Sequence, residues 1–220
     1  MTWHELAAGA IVRVGTGRGF IVGLDDPVVG HIVVTAAHCL PELPPADGGS
    51  YTKERTFENL LGRLGDQENR IWVECLFADP VADIAVLVCP DNQALPDEAD
   101  AYEQLMESAT PMMIADVRAL EEPGTIGPQS VAFVYSLEGQ WLQVLAGGTR
   151  SQVLVDGRKI AAGMSGSPIV DDAGRAIGVA GDGPRYNAGD DESHRPQPRV
   201  PHCLPFWLAR LLVVRSPTSR

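Results

Sequence analysis

The chain has 220 residues, 45% of them hydrophobic and 21% charged, which is the balance of a folded chain long enough to bury a core. Its net charge of −12, from 29 acidic against 17 basic residues, excludes the basic footprint of a nucleic-acid binder, and an anionic membrane would repel it. The longest apolar runs, residues 84–89 and 211–214, are too short to span a bilayer.

In chain order, the opening Met1-Thr2-Trp3-His4-Glu5-Leu6 has no basic segment followed by a long apolar one, so it does not read as a secretory signal. Short segments rich in Val and Ile, bounded by Gly, Pro and Asp, predict strands over 10–14, 20–22, 31–35, 71–77 and 84–88. An acidic linker follows over 91–111, with a helix-like stretch at 97–106. Further strands are expected over 112–115, 131–136, 141–145, 152–155, 169–170 and 176–179. This count fits an all-β protein of two similar barrels, one within 8–90 and one within 112–183, in a single unit of 1–220. Residues 184–202, with several prolines, read as a long surface loop. Leu204, Trp207, Leu208, Leu211 and Leu212 then recur at helical spacing, predicting a C-terminal helix over 203–214 with Pro205 near its start.

The four cysteines, Cys39, Cys75, Cys89 and Cys203, have no zinc-site spacing with histidine, and no metal or cofactor is expected. Reduced, mostly buried thiols in a reducing cytoplasm are the expectation. Whether Cys75 and Cys89 face each other across two strands stays open at this level.

Three short motifs carry chemistry. His38 ends Thr35-Ala36-Ala37-His38, an apolar strand running into small residues, and its imidazole can accept and return a proton near neutral pH. Asp83 opens Asp83-Ile84-Ala85-Val86-Leu87. A carboxylate at the mouth of a buried strand needs a partner, and the second imidazole nitrogen of a histidine would supply one. Asp79 is the competing carboxylate and reads as a turn residue. Ser165 lies in Gly163-Met164-Ser165-Gly166-Ser167-Pro168, where the glycines allow a tight turn whose amides converge. A base, its orienting carboxylate and a hydroxyl nucleophile thus occur in the order His, Asp, Ser.

With these motifs the chain resembles the chymotrypsin/trypsin-like serine peptidases, including their bacterial intracellular-type members, from about residue 15 to 183. The resemblance implies two six-stranded antiparallel barrels with the site in the cleft between them. It also implies an oxyanion hole built from the backbone amides of Gly163 and Ser165. Ser167 stands where relatives usually have glycine, so Ser165 is the expected nucleophile. In secreted relatives the cysteine after the histidine pairs with one on the preceding strand, but Gly17-Arg18-Gly19-Phe20-Ile21-Val22 contains none. The aspartate that receives a freed N-terminal amine in zymogens is replaced by Met164, so activation by N-terminal cleavage is not expected. Substrate-binding positions implied by the resemblance are Lys159, at the base of the specificity pocket, and Gly181, Asp182 and Gly183 on the strand that receives the substrate backbone. Lys159 would favour acidic side chains if it points inward, but Arg158-Lys159 after Asp156-Gly157 reads slightly better as an exposed turn. Asp182 would favour cationic groups, so charge preference stays open.

The expected function is therefore a serine endopeptidase with a polypeptide substrate. The alternative is a latent or inactive binding module of the same fold that needs a protein activator or regulator. An esterase of the α/β-hydrolase kind lacks support, because the serine motif has no strand-to-helix setting.

Overall fold

The computed structural model describes residues 2–23, 30–44, 53–66, 70–80, 82–115, 130–149, 152–155, 160–181 and 202–203. A short helix, α1 (Trp3–Gly9), precedes six strands: β1 (Ile11–Val14), β2 (Gly17–Gly23), β3 (His31–Thr35), β4 (Thr56–Arg63), β5 (Ile71–Asp79) and β6 (Ile84–Val88). They close into an antiparallel barrel in the order β1-β2-β3-β6-β5-β4, with β4 returning to pair with β1. Val14, Phe20, Val33, Leu61, Ile84 and Leu87 are wholly buried in its core.

Two of these elements were not expected from sequence. In β4 the register shifts between Phe57 and Leu61, and Asn59 adopts a left-handed φ of 56°. Such a bulge breaks the alternation by which a strand is read. Helix α1 is only seven residues long, too short for a periodic signal, although the Thr2 peptide N–H donates to the Glu5 carboxylate at 2.7 Å.

The linker carries α2 (Pro96–Glu107), with Pro96 in its first turn and Tyr102, Leu105 and Met106 buried. The Tyr102 hydroxyl donates to the His31 carbonyl at 3.0 Å, fastening α2 to the start of β3. Residues 112–115, expected as a strand, instead form isolated bridges to both halves of the molecule. Met112 pairs with Val22 of β2, and Ile114 pairs with Ala176.

The second half contains β7 (Ser130–Tyr135), β8 (Trp141–Thr149), β9 (Gln152–Val155), β10 (Pro168–Val170), β11 (Ala176–Val179) and β12 (His202–Cys203). These form a second antiparallel sheet in the order β10-β11-β12-β9-β8-β7, and β10 also pairs with β7. Ala132, Val134, Val144, Met164 and Ile169 fill its core. Helix α1 docks on this sheet through Trp3, while its Ala7 is buried in the core that includes the first barrel. The Trp3 ring lies 5.2 Å from Phe133 and 5.6 Å from Trp141, and the Trp141 indole donates to the His4 carbonyl at 3.0 Å.

The C-terminal expectation needs correction at its start. His202 and Cys203 form a strand paired with Val179 and Gly178, because β11 offers them an edge to pair with. Position 203 is therefore not the start of a helix; residues 204–214 lie outside the described residues, as do 184–201. Among the described residues no helix is long and apolar enough to cross a membrane.

Cys39, Cys75 and Cys89 are free thiols, so Cys75 and Cys89 do not pair. Burial pushes each of them up from 9.0 to about 11. Since the thiolate is the reactive form, iodoacetamide at pH 8 should modify these three in the folded chain about 100-fold more slowly than in the unfolded chain. A thiol raised on folding binds its proton more tightly in the native state. Its contribution to stability is present below pH 9 and is lost as pH rises toward about 11. Alkylation rates by mass spectrometry and melting temperature against pH check both statements; equal rates in folded and unfolded chain contradict them.

Candidate active site

Strand β3 ends at Thr35, and a single 3-10 turn, Ala37–Cys39, follows. Its neighbours Ala36, Ala37 and Cys39 are buried, while the His38 side chain is 41% exposed. Small residues anchor the turn inward and leave the imidazole at the surface. The β5–β6 hairpin brings the carboxylate to it. Asp79 caps the turn by accepting the Ala82 peptide N–H at 3.0 Å, and Asp83 takes a left-handed φ of 52°. Aspartate tolerates this region better than most residues. The Asp83 carboxylate meets His38 Nδ1 at 2.8 Å through Oδ2 and 3.0 Å through Oδ1, and Oδ1 also accepts the His38 peptide N–H at 3.0 Å.

Ser165 sits in a turn between Gly163 (φ 90°) and Gly166 (φ 83°). Met164 is buried beneath it, and its carbonyl accepts the Ser167 N–H at 2.9 Å. The Gly166 N–H donates to the Ala180 carbonyl at 2.7 Å, and the Ala180 N–H donates to the Ser167 carbonyl at 2.8 Å. Ser167 is wholly buried with its hydroxyl unpartnered, whereas Ser165 is only half-buried. Ser165, not Ser167, is the hydroxyl within reach of solvent. Among the described residues, the amides of Gly163 and Ser165 donate to no protein group.

The Ser165 carbonyl docks on the first barrel. It accepts the Arg18 peptide N–H at 2.7 Å, and the Cys39 thiol lies 3.6 Å from it. The residue after His38 and the candidate nucleophile are therefore in contact. Gly17 is required here, since a Cβ would stand 2.7 Å from the Ser165 carbonyl and 2.5 Å from Cys39 Sγ.

Gly181 lies beside the same carboxylate: a Cβ built on it would be 3.0 Å from Asp83 Oδ2. Lys159, Asp182 and Gly183 lie outside the described residues. Sequence reading passed over Arg18, whose signal was a charged residue between two glycines in a strand that is otherwise apolar and buried. Its desolvated guanidinium has its pKa lowered by burial.

The sequence model of the trypsin-like peptidase domain matches residues 15–179. The chain belongs to this family, the trypsin-like serine peptidases. It is similar to a crystal structure of the Rv3671c protease in its inactive form, with 16% identity and a TM-score of 0.46 over 96% of this chain and 91% of that one. It is also similar to the active form of the Rv3671c protease from M. tuberculosis, with 16% identity and a TM-score of 0.44 over 99% and 85%. No curated protein matches.

Proposed function

We propose that the chain is an endopeptidase that hydrolyses peptide bonds of a polypeptide substrate through an acyl-enzyme on Ser165. The observation that carries this reading is the Asp83 carboxylate on His38 Nδ1 at 2.8 Å, beside a serine segment docked on the residue after that histidine. A carboxylate there holds the imidazole as the Nδ1–H tautomer. In that tautomer Nε2 carries no proton, so it can take the Ser165 proton and return it to the leaving amine. The amides of Gly163 and Ser165, which among the described residues donate to no protein group, supply donors for the oxyanion.

In this reading the ring of β7–β12 pairings is the second of two six-stranded barrels, which reaches beyond the expected 112–183 to take in β12 at His202–Cys203, and is joined through 91–111 to the first within 8–90. The resemblance gives Gly181, with Lys159, Asp182 and Gly183, the role of binding substrate. Met164, buried and uncharged, offers no partner to a freed amine, so the chain needs no N-terminal cleavage. Free thiols at Cys39, Cys75 and Cys89 suit a cytoplasmic setting. In that setting a protein activator or regulator would confine the activity.

A fluorophosphonate probe tests the proposal. The unprocessed chain should become labelled at a single residue, Ser165, by peptide mass mapping, and Ser165→Ala should take up none. A folded chain that takes up no probe, or a Ser165→Ala variant labelled as well as wild type, overturns it.

A further inference from the structure

Arg18 is 5% exposed, and its guanidinium leaves the first barrel to end in the second half of the molecule. Nη1 donates to the carbonyls of Tyr135 and Ser136, both at 3.0 Å, at the end of β7. The guanidinium carbon lies 5.6 Å from the centre of the Tyr135 ring, within cation–π range. That ring packs at 5.0 Å on Trp141, whose indole is tied to α1. The backbone of Arg18 is equally engaged. Its N–H holds the Ser165 carbonyl at 2.7 Å, and its own carbonyl accepts the Thr35 hydroxyl at 2.6 Å, three residues before His38.

Among the described residues, this buried cation is held by carbonyls and a ring, with the exposed Glu138 carboxylate favouring its charge from a distance. That is an expensive way to join two sheets, and apolar residues of similar volume usually do as well. Its position explains it better than packing does. Residue 18 is bonded to the nucleophile segment through its N–H, to the strand leading into His38 through its C=O, and to β7 through its side chain. The Ser136–Gln140 turn after β7 also approaches the serine loop, since Leu137 would be 3.5 Å from a Cβ on Gly163.

We propose that Arg18 is a positioning residue: its side chain clamps the end of β7 and thereby holds the Ser165 loop in register with His38. This rests on the reading of Ser165 as nucleophile. A displacement of about 1 Å between reacting groups costs on the order of 100-fold in rate. Loss of the clamp should therefore act on the chemical step and spare probe binding.

Saturation kinetics of fluorophosphonate labelling separate the two, alongside amide hydrogen exchange. Arg18→Met is expected to lower the limiting labelling rate about 30- to 100-fold, with the half-saturating probe concentration changed less than about threefold. Arg18→Lys, which keeps a cation but not the planar stack on Tyr135, should recover part of that loss. Arg55→Met is the matched control. Arg55 is 6% exposed and donates to the Cys75 and Leu76 carbonyls at 2.8 Å, on a strand of the first barrel. It should melt earlier but label at the wild-type rate while folded. Exchange of the 163–167 amides should rise at least about tenfold in Arg18→Met and stay unchanged in Arg55→Met.

A folded Arg18→Met that labels at the wild-type rate overturns the positioning role. If it does not fold, Arg18→Lys with wild-type rate and exchange does so instead. Unchanged exchange at 163–167 overturns the clamp by itself. Failure of the wild-type chain to label overturns the reading of Ser165, and the positioning role with it, whatever the exchange shows.

Discussion

Asp83→Asn is expected to lower turnover of a peptide substrate by about 10³–10⁴-fold, with little change in KM or in melting temperature. The size of the loss follows from how the carboxylate is used. Oδ1 accepts the His38 peptide N–H at 3.0 Å, and Oδ2 faces Nδ1 at 2.8 Å. Asparagine can keep the first bond with its carbonyl oxygen, which turns its NH₂ group toward Nδ1. Two donors cannot share that contact, so the imidazole shifts its proton to Nε2. That nitrogen can then no longer accept a proton from Ser165. The substitution also isolates the chemistry from the backbone. Position 83 has φ 52°, which asparagine tolerates as well as aspartate does, whereas alanine would add strain at the same point. Steady-state kinetics at neutral pH, with circular dichroism to establish folding, check the prediction. A loss below tenfold would remove Asp83 from the orienting role and leave its contact with His38 as structural.

Much of this arrangement was legible in the chain because it rests on local signals. The strands at 31–35, 84–88, 152–155 and 176–179 have the expected bounds, since each is a short run of β-branched or apolar residues with turn residues at its ends. The elements that were missed lack that property. Strand β4 is interrupted by the left-handed Asn59, α1 is too short to show a period, and β12 is two residues long and is formed by pairing with both β11 and β9. The site divides in the same way. His38, Asp83 and Ser165 each sit in a motif, and the hairpin that presents Asp83 to His38 is formed by adjacent strands. What joins the serine loop to the histidine strand is not local. Arg18 bonds to Tyr135 and Ser136, and Cys39 to Ser165, across more than 100 positions of sequence. A charged residue between glycines is the only trace such contacts leave in the chain. Gly17 and Gly181 are visible as glycines, but the atoms that would meet their side chains are known only from the fold.

Gly166→Ala should be the most destabilising single methyl in the described residues, on the order of 3–5 kcal/mol, and should abolish labelling of Ser165. Two penalties combine there. The backbone has φ 83°, where an L side chain costs about 1–2 kcal/mol. The added Cβ would also overlap the Arg18 carbonyl oxygen and stand 2.6 Å from Thr35 Oγ1. The first obstacle is backbone in a buried strand, and the second is a hydroxyl already bonded to that same carbonyl, so neither can swing aside. Relief requires the serine loop to lift from β2, which breaks the bond from the Arg18 N–H to the Ser165 carbonyl. Gly65 separates the two penalties. Its φ of 84° is nearly the same, but nothing lies within 4 Å of a Cβ there. Gly65→Ala should therefore cost only the conformational part, about 1–2 kcal/mol, and label at the wild-type rate. Urea denaturation of both variants, with fluorophosphonate labelling of the folded fraction, measures the difference. Equal destabilisation of the two would mean that the Ser165 loop is not seated on β2 as the contacts at Arg18 and Thr35 require.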